Sequence, residues 1–259
     1  MGKIAEFVLR KLSRDPDSED YFHEHYELKH KNIETYLEEL NDTFPNLRKI
    51  ISNKKVLNVG CCEGLETLAL SMLGAAQVYG IDIRIDKNKN EEIQKQYPNN
   101  NIKFSVMDGQ NTTFADDTFD LVVTCGSFEH FDNPKLMLKE FQRILKPGGR
   151  ILLTSSVWAH PWGAHMGFFT KVPWVQYFFS EETIMNVRAL YRNDGAKKYS
   201  EVEGGLNKIG INSFNKIVKE LNLQTEYLRL NPVKGITILS KIPYLNELFT
   251  NLIIAVLKK

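Results

Sequence analysis

The stretch that decides the fold is Val56-Leu57-Asn58-Val59-Gly60-Cys61-Cys62-Glu63-Gly64. Its first four residues predict a strand that is covered on both faces, because such a strand in a parallel sheet carries a nearly unbroken apolar run. Gly60 and Gly64 predict a turn in which backbone can approach a ligand closely. The segment 65–73 predicts a helix directly after the turn, and the unpaired N–H groups of its first turn favour a ligand there.

The segments that follow continue the alternation of short apolar runs and helical patterns. This alternation is typical of βαβ units, so the sequence predicts an α/β fold with a doubly wound, mostly parallel, seven-stranded sheet. A helix that begins after Asn133-Pro134 and stops at Lys146-Pro147-Gly148-Gly149 has start and stop signals that agree with its apolar spacing. The predicted strands are 55–59, 77–83, 102–107, 121–124, 150–154, 224–230 and 251–257, and a further helix is predicted at 213–221.

The length of 259 residues predicts a single domain with additions. An aromatic run, VWAHPWGAHMGFFTKVPWVQYFFS, interrupts the βα rhythm and predicts an inserted segment. Its aromatic side chains could form the core of an added subdomain, cover a cofactor or line an acceptor pocket. The predicted parts are a helical cap at 1–50, a cofactor-binding core at 51–155, an inserted lid or acceptor segment at 156–212, and a C-terminal helix with closing strands at 213–259. Within the insert, residues 203–207 are predicted to form a hinge or a loop over the acceptor.

The composition narrows the partners and the compartment. Thirty-three basic residues against 32 acidic ones leave a net charge of +1, which gives no overall field for binding nucleic acid. No run approaches the roughly 20 apolar residues that span a bilayer, and the N-terminus lacks the unbroken apolar core of a signal peptide. The three cysteines include an adjacent pair and form no disulfide framework, so we expect a reducing, cytoplasmic location.

Asp82 indicates what kind of ligand the glycine turn binds. It ends the next predicted strand, where a carboxylate can accept both hydroxyl protons of an adenosine ribose. A nicotinamide-dependent oxidoreductase also uses such a carboxylate. However, the turn has G-x-x-x-G rather than G-x-G-x-x-G, and the negative charge of Glu63 would oppose a diphosphate. The sequence therefore favours a neutral or cationic ligand.

Four blocks make the chain resemble the class I S-adenosylmethionine-dependent methyltransferases, in the small-molecule and quinone-biosynthesis-like subgroup with a type 11 methyltransferase domain. The blocks are VLNVGCCEG, YGIDI, VMDGQNTTFADDTFDLVVTCGSFEHF and LKEFQRILKPGGRILLTS, in this order within residues 55–155. The resemblance implies a Rossmann-like fold, S-adenosylmethionine as cofactor and S-adenosylhomocysteine as product. The family usually has Asp at the position of Asn58 and Gly at that of Cys62, so a weaker affinity for the cofactor is expected.

The resemblance also implies roles for individual residues. The turn would hold the amino-acid part of the cofactor, Asp82 its ribose and the residues after the third strand its adenine, while the loop after the fourth strand would face cofactor and acceptor. The implied cofactor residues are Asn58, Gly60, Cys62, Gly64, Asp82, Ile83, Met107, Asp108, Gly109, Gly126, Ser127 and Phe128.

Three histidines are candidate catalytic residues, because His130, His160 and His165 all follow strands at the predicted ligand edge. A base is needed only when the acceptor must lose a proton, as a hydroxyl does. A divalent metal held by two of these histidines is the alternative; without an acidic partner at a firm ligand spacing, we predict no metal.

The acceptor is predicted to be a small molecule, with O-methylation of a sugar, glycan or natural-product hydroxyl first. Alternatives are N- or C-methylation, a lipid-linked acceptor with peripheral membrane contact, a nicotinamide-dependent oxidoreductase, or a non-catalytic protein that binds S-adenosylmethionine. The oligomeric state is left open.

Overall fold

Seven strands form one sheet in the structure, a computed structural model that describes residues 2–15, 32–202 and 205–259. The strands are β1 (Lys55–Val59), β2 (Gln77–Asp82), β3 (Ile102–Val106), β4 (Phe119–Thr124), β5 (Leu145–Ser156), β6 (Gln224–Pro232) and β7 (Thr250–Lys258). Their order in the sheet is β3-β2-β1-β4-β5-β7-β6. Strands β1 to β5 are parallel to one another, whereas β7 runs antiparallel to both β5 and β6. This confirms the predicted mostly parallel, doubly wound sheet.

Helices cover both faces of the sheet. They are α1 (Gly2–Lys11), α2 (Ile33–Thr43), α3 (Leu47–Ile51), α4 (Leu65–Met72), α5 (Lys87–Gln96), α6 (Pro134–Ile144), α7 (Val175–Phe178), α8 (Glu181–Arg188), α9 (Ile211–Glu220) and α10 (Asn246–Phe249). No helix of the described residues is long and apolar enough to cross a membrane.

The burial of β1 explains why its sequence is so apolar. Leu57 and Val59 point into the core shared with α6 and α9, while Val56 points into the core shared with α2 and α4. Alternate side chains of a strand face opposite sides of a sheet, so a central strand must be apolar on both. The strand is thereby held rigidly, with its carboxyl end at the sheet edge where ligands bind in such folds.

Two predicted elements show how local signals set boundaries. The side chain of Asn133 accepts a hydrogen bond from the Leu136 N–H at 3.1 Å, and α6 begins at Pro134, slightly before the predicted start after Asn133-Pro134. The strand predicted at 150–154 is longer at both ends. Leu145 already pairs with Phe119 of β4 before a register shift, and Ser155 and Ser156 continue the pairing with β7.

The inserted segment builds a third apolar core. Phe169, Ile184 and Met185 are buried in it together with Leu9 of α1. Within the aromatic run Phe169 is buried in this core and Trp158, Phe168 and Phe179 are partly buried against it, whereas Trp162, Tyr177 and Phe178 are exposed. Whether the segment acts as a lid stays a prediction, as does the division into a cap, core and insert; residues 16–31 of the predicted cap and 203–204 of the predicted hinge lie outside the described residues.

Candidate cofactor and acceptor site

The turn after β1 has a left-handed backbone at three positions. Gly60, Cys62 and Gly64 have φ angles of 81°, 45° and 91°. Gly60 is required by space as well, since a Cβ there would lie 2.1 Å from Oγ of Ser127. The turn is fastened to β2 by the N–H groups of Gly60 and Cys61, which donate to the Ile81 carbonyl at 2.9 and 3.2 Å. Backbone thus approaches the ligand edge without a side chain at Gly60.

Asp82 lies beside the turn and holds it in place. One carboxylate oxygen accepts from the Cys62 N–H at 3.0 Å, and the other accepts from the Arg84 N–H at 2.9 Å. A carboxylate has about four lone-pair positions, so Asp82 can accept further hydrogen bonds from a ligand.

A cavity of about 360 Å³ opens beside Asp82. Its far wall is the turn after β3, where Asp108 accepts from the Gln110 N–H at 2.8 Å. A Cβ on Gly109 would lie 2.8 Å from Val59, so this wall is also tightly packed. Eight of the predicted cofactor residues line this adenosine-side cavity: Gly60, Cys62, Asp82, Ile83, Met107, Asp108, Gly109 and Ser127.

A second cavity, of about 690 Å³, lies on the other side of the turn. Gly60 and Cys62 line both cavities, so the two are adjacent at the turn. Gly64 and Gly126 line only this second one. Its other walls come from parts of the chain that the sequence analysis does not select: Tyr36, Glu39, Leu40, Asp42, Thr43, Cys61, Glu63, Leu65, Glu66, Cys125, Thr154, Arg229 and Leu252.

The remaining two predicted cofactor residues, Asn58 and Phe128, line neither cavity. Asn58 is fully buried, and its amide is bonded to Glu66 and Thr67. Phe128 is also fully buried, with its ring edge-on to Phe131 and Phe214. Both residues therefore pack beneath the walls of the cavities rather than forming them.

The structure brings together two of the three predicted histidines. His130 lines the adenosine-side cavity, and its Nδ1 lies 2.7 Å from the Gly205 carbonyl oxygen. The ring of His165 packs edge-on against it, with 5.1 Å between the centroids. A carbonyl oxygen only accepts, so Nδ1 of His130 carries the proton and Nε2 of the neutral ring is the basic nitrogen.

His160 lies apart from this pair and lines neither cavity. Its Nδ1 accepts from the Trp162 N–H at 3.2 Å, which places the proton of the neutral ring on Nε2, 3.1 Å from Oγ of Ser156. Burial, with a smaller contribution from His165, lowers its pKa to about 4. His160 is therefore neutral near pH 7 and holds the turn after β5.

Glu129 is a neighbour of these histidines that the sequence analysis does not select as an acidic partner. It is 7% exposed, and within the described ranges its Oε2 has no hydrogen-bond partner. Glu129, His130 and His165 offer ligand atoms that all lie within 4.8 Å of one another. The sequence could have indicated that Glu129 lies near His130, because the two residues are adjacent. It could not have indicated that His165 joins them, because the position of His165 depends on how the inserted segment packs.

Comparisons with known proteins bear on this geometry. A family model described as "Methyltransferase domain" matches residues 57–153, which contain β2 to β4 and most of β1 and β5. The matched segment resembles a methyltransferase domain. The mitochondrial ubiquinone biosynthesis O-methyltransferase of Dictyostelium discoideum is 34% identical to the chain over 112 residues, which cover 39% of this chain and 34% of that protein. The match thus spans about a third of the relative's length.

Solved structures resemble the methyltransferase domain and its surroundings in fold. An S-adenosylmethionine-dependent methyltransferase from Mesorhizobium loti has a TM-score of 0.57 at 16% identity, with 88% of this chain and 98% of that chain covered. Phosphoethanolamine N-methyltransferase 2 from Haemonchus contortus, in complex with S-adenosyl-L-methionine, has a TM-score of 0.58 at 14% identity, with coverages of 87% and 52%. At these identities the likeness shows the fold alone.

The residues of the methyltransferase domain fit S-adenosylmethionine. Gly60 leaves open a backbone cradle that a Cβ would fill, and Asp82 presents a carboxylate to the cavity beside it. The second cavity has acidic side chains next to the same turn, including Glu63 and Glu66. A ligand with an adenosine end and a cationic end matches this donor set.

Proposed function

We propose that the protein is an S-adenosylmethionine-dependent O-methyltransferase of a small molecule. The observation that carries the proposal is the pair of adjacent cavities that meet at Gly60 and Cys62, with His130 on the wall. The first cavity, with His130 on its wall, suits adenosine, and the second suits an amino-acid end; we place the reacting oxygen of the acceptor where the two cavities meet, at Gly60 and Cys62. The relative from Dictyostelium, an O-methyltransferase by name, supports the oxygen as the methylated atom.

The proposed cofactor contacts follow from the walls. Asp82 accepts hydrogen bonds from the ribose hydroxyl groups, and Asp108 accepts one from the adenine amino group. Ile83 and Met107 contact the base. The bound cofactor supplies a methyl group already activated on a positively charged sulfur. The chain's own residues therefore have to align an acceptor oxygen with that methyl group and remove the oxygen's proton.

His130 is the proposed base. Its Nδ1 is occupied by the Gly205 carbonyl, so the ring is held in one orientation and Nε2 is the nitrogen that accepts a proton. Among the predicted histidines, His165 supports this ring by contact, and His160 is engaged at both ring nitrogens. Glu129 is buried close by, with a ligand atom within 4.8 Å of those of both His130 and His165.

A hydroxyl-rich acceptor such as a sugar or glycan is the finer part of the proposal. The outer walls of the second cavity carry Glu39, Asp42, Thr43 and Arg229 rather than an aromatic cage. Such groups form hydrogen bonds with hydroxyl groups. A flat apolar acceptor would cover them without offering hydrogen-bond partners, which is unfavourable. The acidic side chains near the turn also disfavour the diphosphate of a nicotinamide cofactor. We include a cytoplasmic location in the proposal, since the three cysteines are free thiols.

The test is isothermal titration of the purified protein with S-adenosylmethionine, S-adenosylhomocysteine and NAD, repeated on Asp82→Ala. We expect binding of the first two ligands and its loss in the variant. Acceptor screening by mass spectrometry then looks for a 14-Da gain on sugars, glycans and phenols, a methylene's mass. Absence of binding to either sulfur ligand, or binding of NAD alone, would show that the proposed function is wrong.

A further inference from the structure

Arg229 is a basic side chain on the wall of the second cavity, and most of its hydrogen-bonding capacity is unused. A guanidinium group carries five N–H donors. Both terminal nitrogens of Arg229 lie 3.4 Å from the carbonyl oxygen of Asp42, which is longer than an ordinary N–H···O hydrogen bond. Its Nε is buried and has no acceptor within the described ranges. Weak contacts with one carbonyl therefore leave Arg229 with donors for a ligand.

The positive charge of Arg229 also lacks a partner of opposite sign. Among the residues that the structure describes, no aspartate or glutamate forms an ion pair with it, and no other basic residue lines the second cavity. The side chain is half-buried. Because removing an unpaired charge from water is unfavourable, a partly buried cation of this kind favours an anionic partner.

Arg229 lies at the end of the cavity that is away from the cofactor turn. In the sheet, β4, β5 and β7 separate its strand, β6, from β1. At the usual spacing of neighbouring strands, β6 is roughly 19 Å from β1. Thr154 of β5 and Leu252 of β7 line the cavity between these two strands. A cofactor whose amino-acid end meets the turn at Gly60 therefore leaves Arg229 to another ligand.

The second cavity has room for an acceptor beside the amino-acid end of the cofactor. Its volume is about 690 Å³, compared with about 360 Å³ for the adenosine-side cavity. The amino-acid end has fewer atoms than adenosine, so it fills only part of the larger cavity. The walls away from the turn include Thr43, which offers a hydroxyl group, and Arg229, which offers charged donors.

We propose that Arg229 binds a carboxylate group of the acceptor, which makes the acceptor a sugar acid or a similar hydroxylated carboxylic acid. This inference rests on the proposed function and names the acceptor class of the same site. A planar guanidinium matches a carboxylate in two parallel hydrogen bonds. A phosphate monoester fits less well, because it carries a charge of roughly −1.5 to −2. The same cavity has four acidic side chains on its walls, which are Glu39, Asp42, Glu63 and Glu66.

The experiment titrates the protein, saturated with S-adenosylhomocysteine, with sugars that differ in one carboxylate. The pairs are D-glucuronate with D-glucose and D-galacturonate with D-galactose, and each acid has a carboxylate where the neutral sugar has a hydroxymethyl group. In at least one pair, we expect the acid to bind at least about tenfold more tightly by calorimetry. Arg229→Gln should lower the affinity for that acid roughly 10- to 100-fold, the range for loss of a charge-assisted hydrogen bond.

Matched variants separate the guanidinium from its charge and from its place in the fold. Arg229→Lys keeps the positive charge but not the planar fork, so it should keep part of the preference for the acid. Arg48→Gln removes a positive charge from an exposed position on α3 that lines neither cavity, and it should leave the preference unchanged. Thermal unfolding establishes that each variant is folded, since Arg229 also contacts the end of α2.

The outcomes distinguish this inference from the proposed function. If the unchanged protein does not bind S-adenosylhomocysteine, the proposed function is wrong and the inference falls with it. If the complex forms but binds neither acid more tightly than its neutral partner, or if Arg229→Gln keeps the preference, only the inference is wrong. Weaker binding of S-adenosylhomocysteine by Arg229→Gln would show that Arg229 contacts the cofactor's own carboxylate, which also contradicts the inference.

Discussion

Nδ1 of His130 donates a hydrogen bond to the carbonyl oxygen of Gly205 at 2.7 Å. The two residues belong to different parts of the chain, the loop after β4 and the segment inserted after β5. Their hydrogen bond therefore couples the position of a candidate base to the folding of the insert. It also leaves Nε2 as the basic nitrogen of the neutral ring.

The first prediction concerns this base. His130→Asn should lower kcat for a hydroxyl acceptor roughly 10²- to 10⁴-fold, the usual contribution of a general base. An asparagine side-chain nitrogen can still donate to the Gly205 carbonyl, so the loop should stay in place. Steady-state kinetics with an acceptor from the screen gives kcat, and calorimetry checks that cofactor affinity changes less than about tenfold.

His165→Asn is the matched control, because His165 contacts His130 without lining either cavity. We expect a smaller loss of kcat for this variant. A kcat for His130→Asn within about twofold of the unchanged protein would contradict the assignment. If EDTA abolishes activity and Zn²⁺ restores it, Glu129, His130 and His165 act as metal ligands instead.

The second prediction is a pH dependence of stability from His160. Its folded-state pKa of about 4 lies below the ordinary value of 6.5, so the unfolded chain binds more protons between these two values. Stability is therefore lost as the pH falls through that window and is fully present above it. The loss attributable to His160 between pH 7.5 and pH 5 is about 2 kcal/mol.

His160→Asn tests this, since asparagine keeps an acceptor for the Trp162 N–H but does not titrate. The variant should be less stable at pH 7.5, where its hydrogen bond to Ser156 is lost, and should lose less stability on acidification. Urea unfolding at both pH values measures the difference. Parallel pH profiles for the two proteins would contradict a neutral, buried His160.

The third prediction separates backbone strain from crowding at the glycine turn. Gly60 and Gly126 both have left-handed φ angles, of 81° and 64°, but a Cβ would overlap Ser127 only at Gly60. Gly126→Ala should cost about 1–2 kcal/mol in unfolding free energy from strain alone. Gly60→Ala should cost roughly 1–3 kcal/mol more, because Ser127 must move.

Chemical denaturation of the two variants measures these costs. Combining Gly60→Ala with Ser127→Gly should recover the crowding part only, since the atoms that the new Cβ meets are the side chain of Ser127. Equal destabilisation by the two single alanine variants would show that Gly60 is not crowded in solution.

The fourth prediction uses the thiol of Cys62, which is exposed and lines both cavities. Partial desolvation, followed by the negative charge of Asp82, raises its pKa above the ordinary value of 9.0. Alkylation by iodoacetamide should therefore keep accelerating as the pH rises past 9, and should slow when S-adenosylhomocysteine is bound. Mass spectrometry of digested protein locates the label.

Cys62→Ser is the control, and it should remove the fast, ligand-protected labelling. Cys61 is buried and burial raises its pKa to about 12, so it should react much more slowly. Labelling of Cys62 that is unaffected by saturating ligand would contradict its place beside the cofactor.

Much of the fold and of the adenosine side of the site could be predicted from the sequence. The strand, turn and helix at 55–72 lie next to one another in the chain, and Asp82 and Asp108 follow the ends of neighbouring parallel strands. The carboxyl ends of parallel strands meet at one edge, so these side chains had to converge. Local patterns are enough to predict these positions, because residues that follow successive parallel strands must lie at the same edge of the sheet.

The other half of the site depends on packing that sequence patterns do not encode. Asn58 bonds to Glu66 inside the protein, His160 separates from the other two predicted histidines, and Glu129 joins them instead. Each of these depends on side-chain direction, which an apolar period does not specify.

The sequence by itself determined the α/β class, the glycine turn and the acids at the strand ends, because these need only the strand period and the chain order. The tertiary structure alone decided that α2 and Arg229 close the second cavity, that β7 lies between β5 and β6, and that Gly205 fixes His130. The physical reason is range: contacts between residues far apart in the chain form only when whole elements pack, and many arrangements of loops are compatible with the same local pattern.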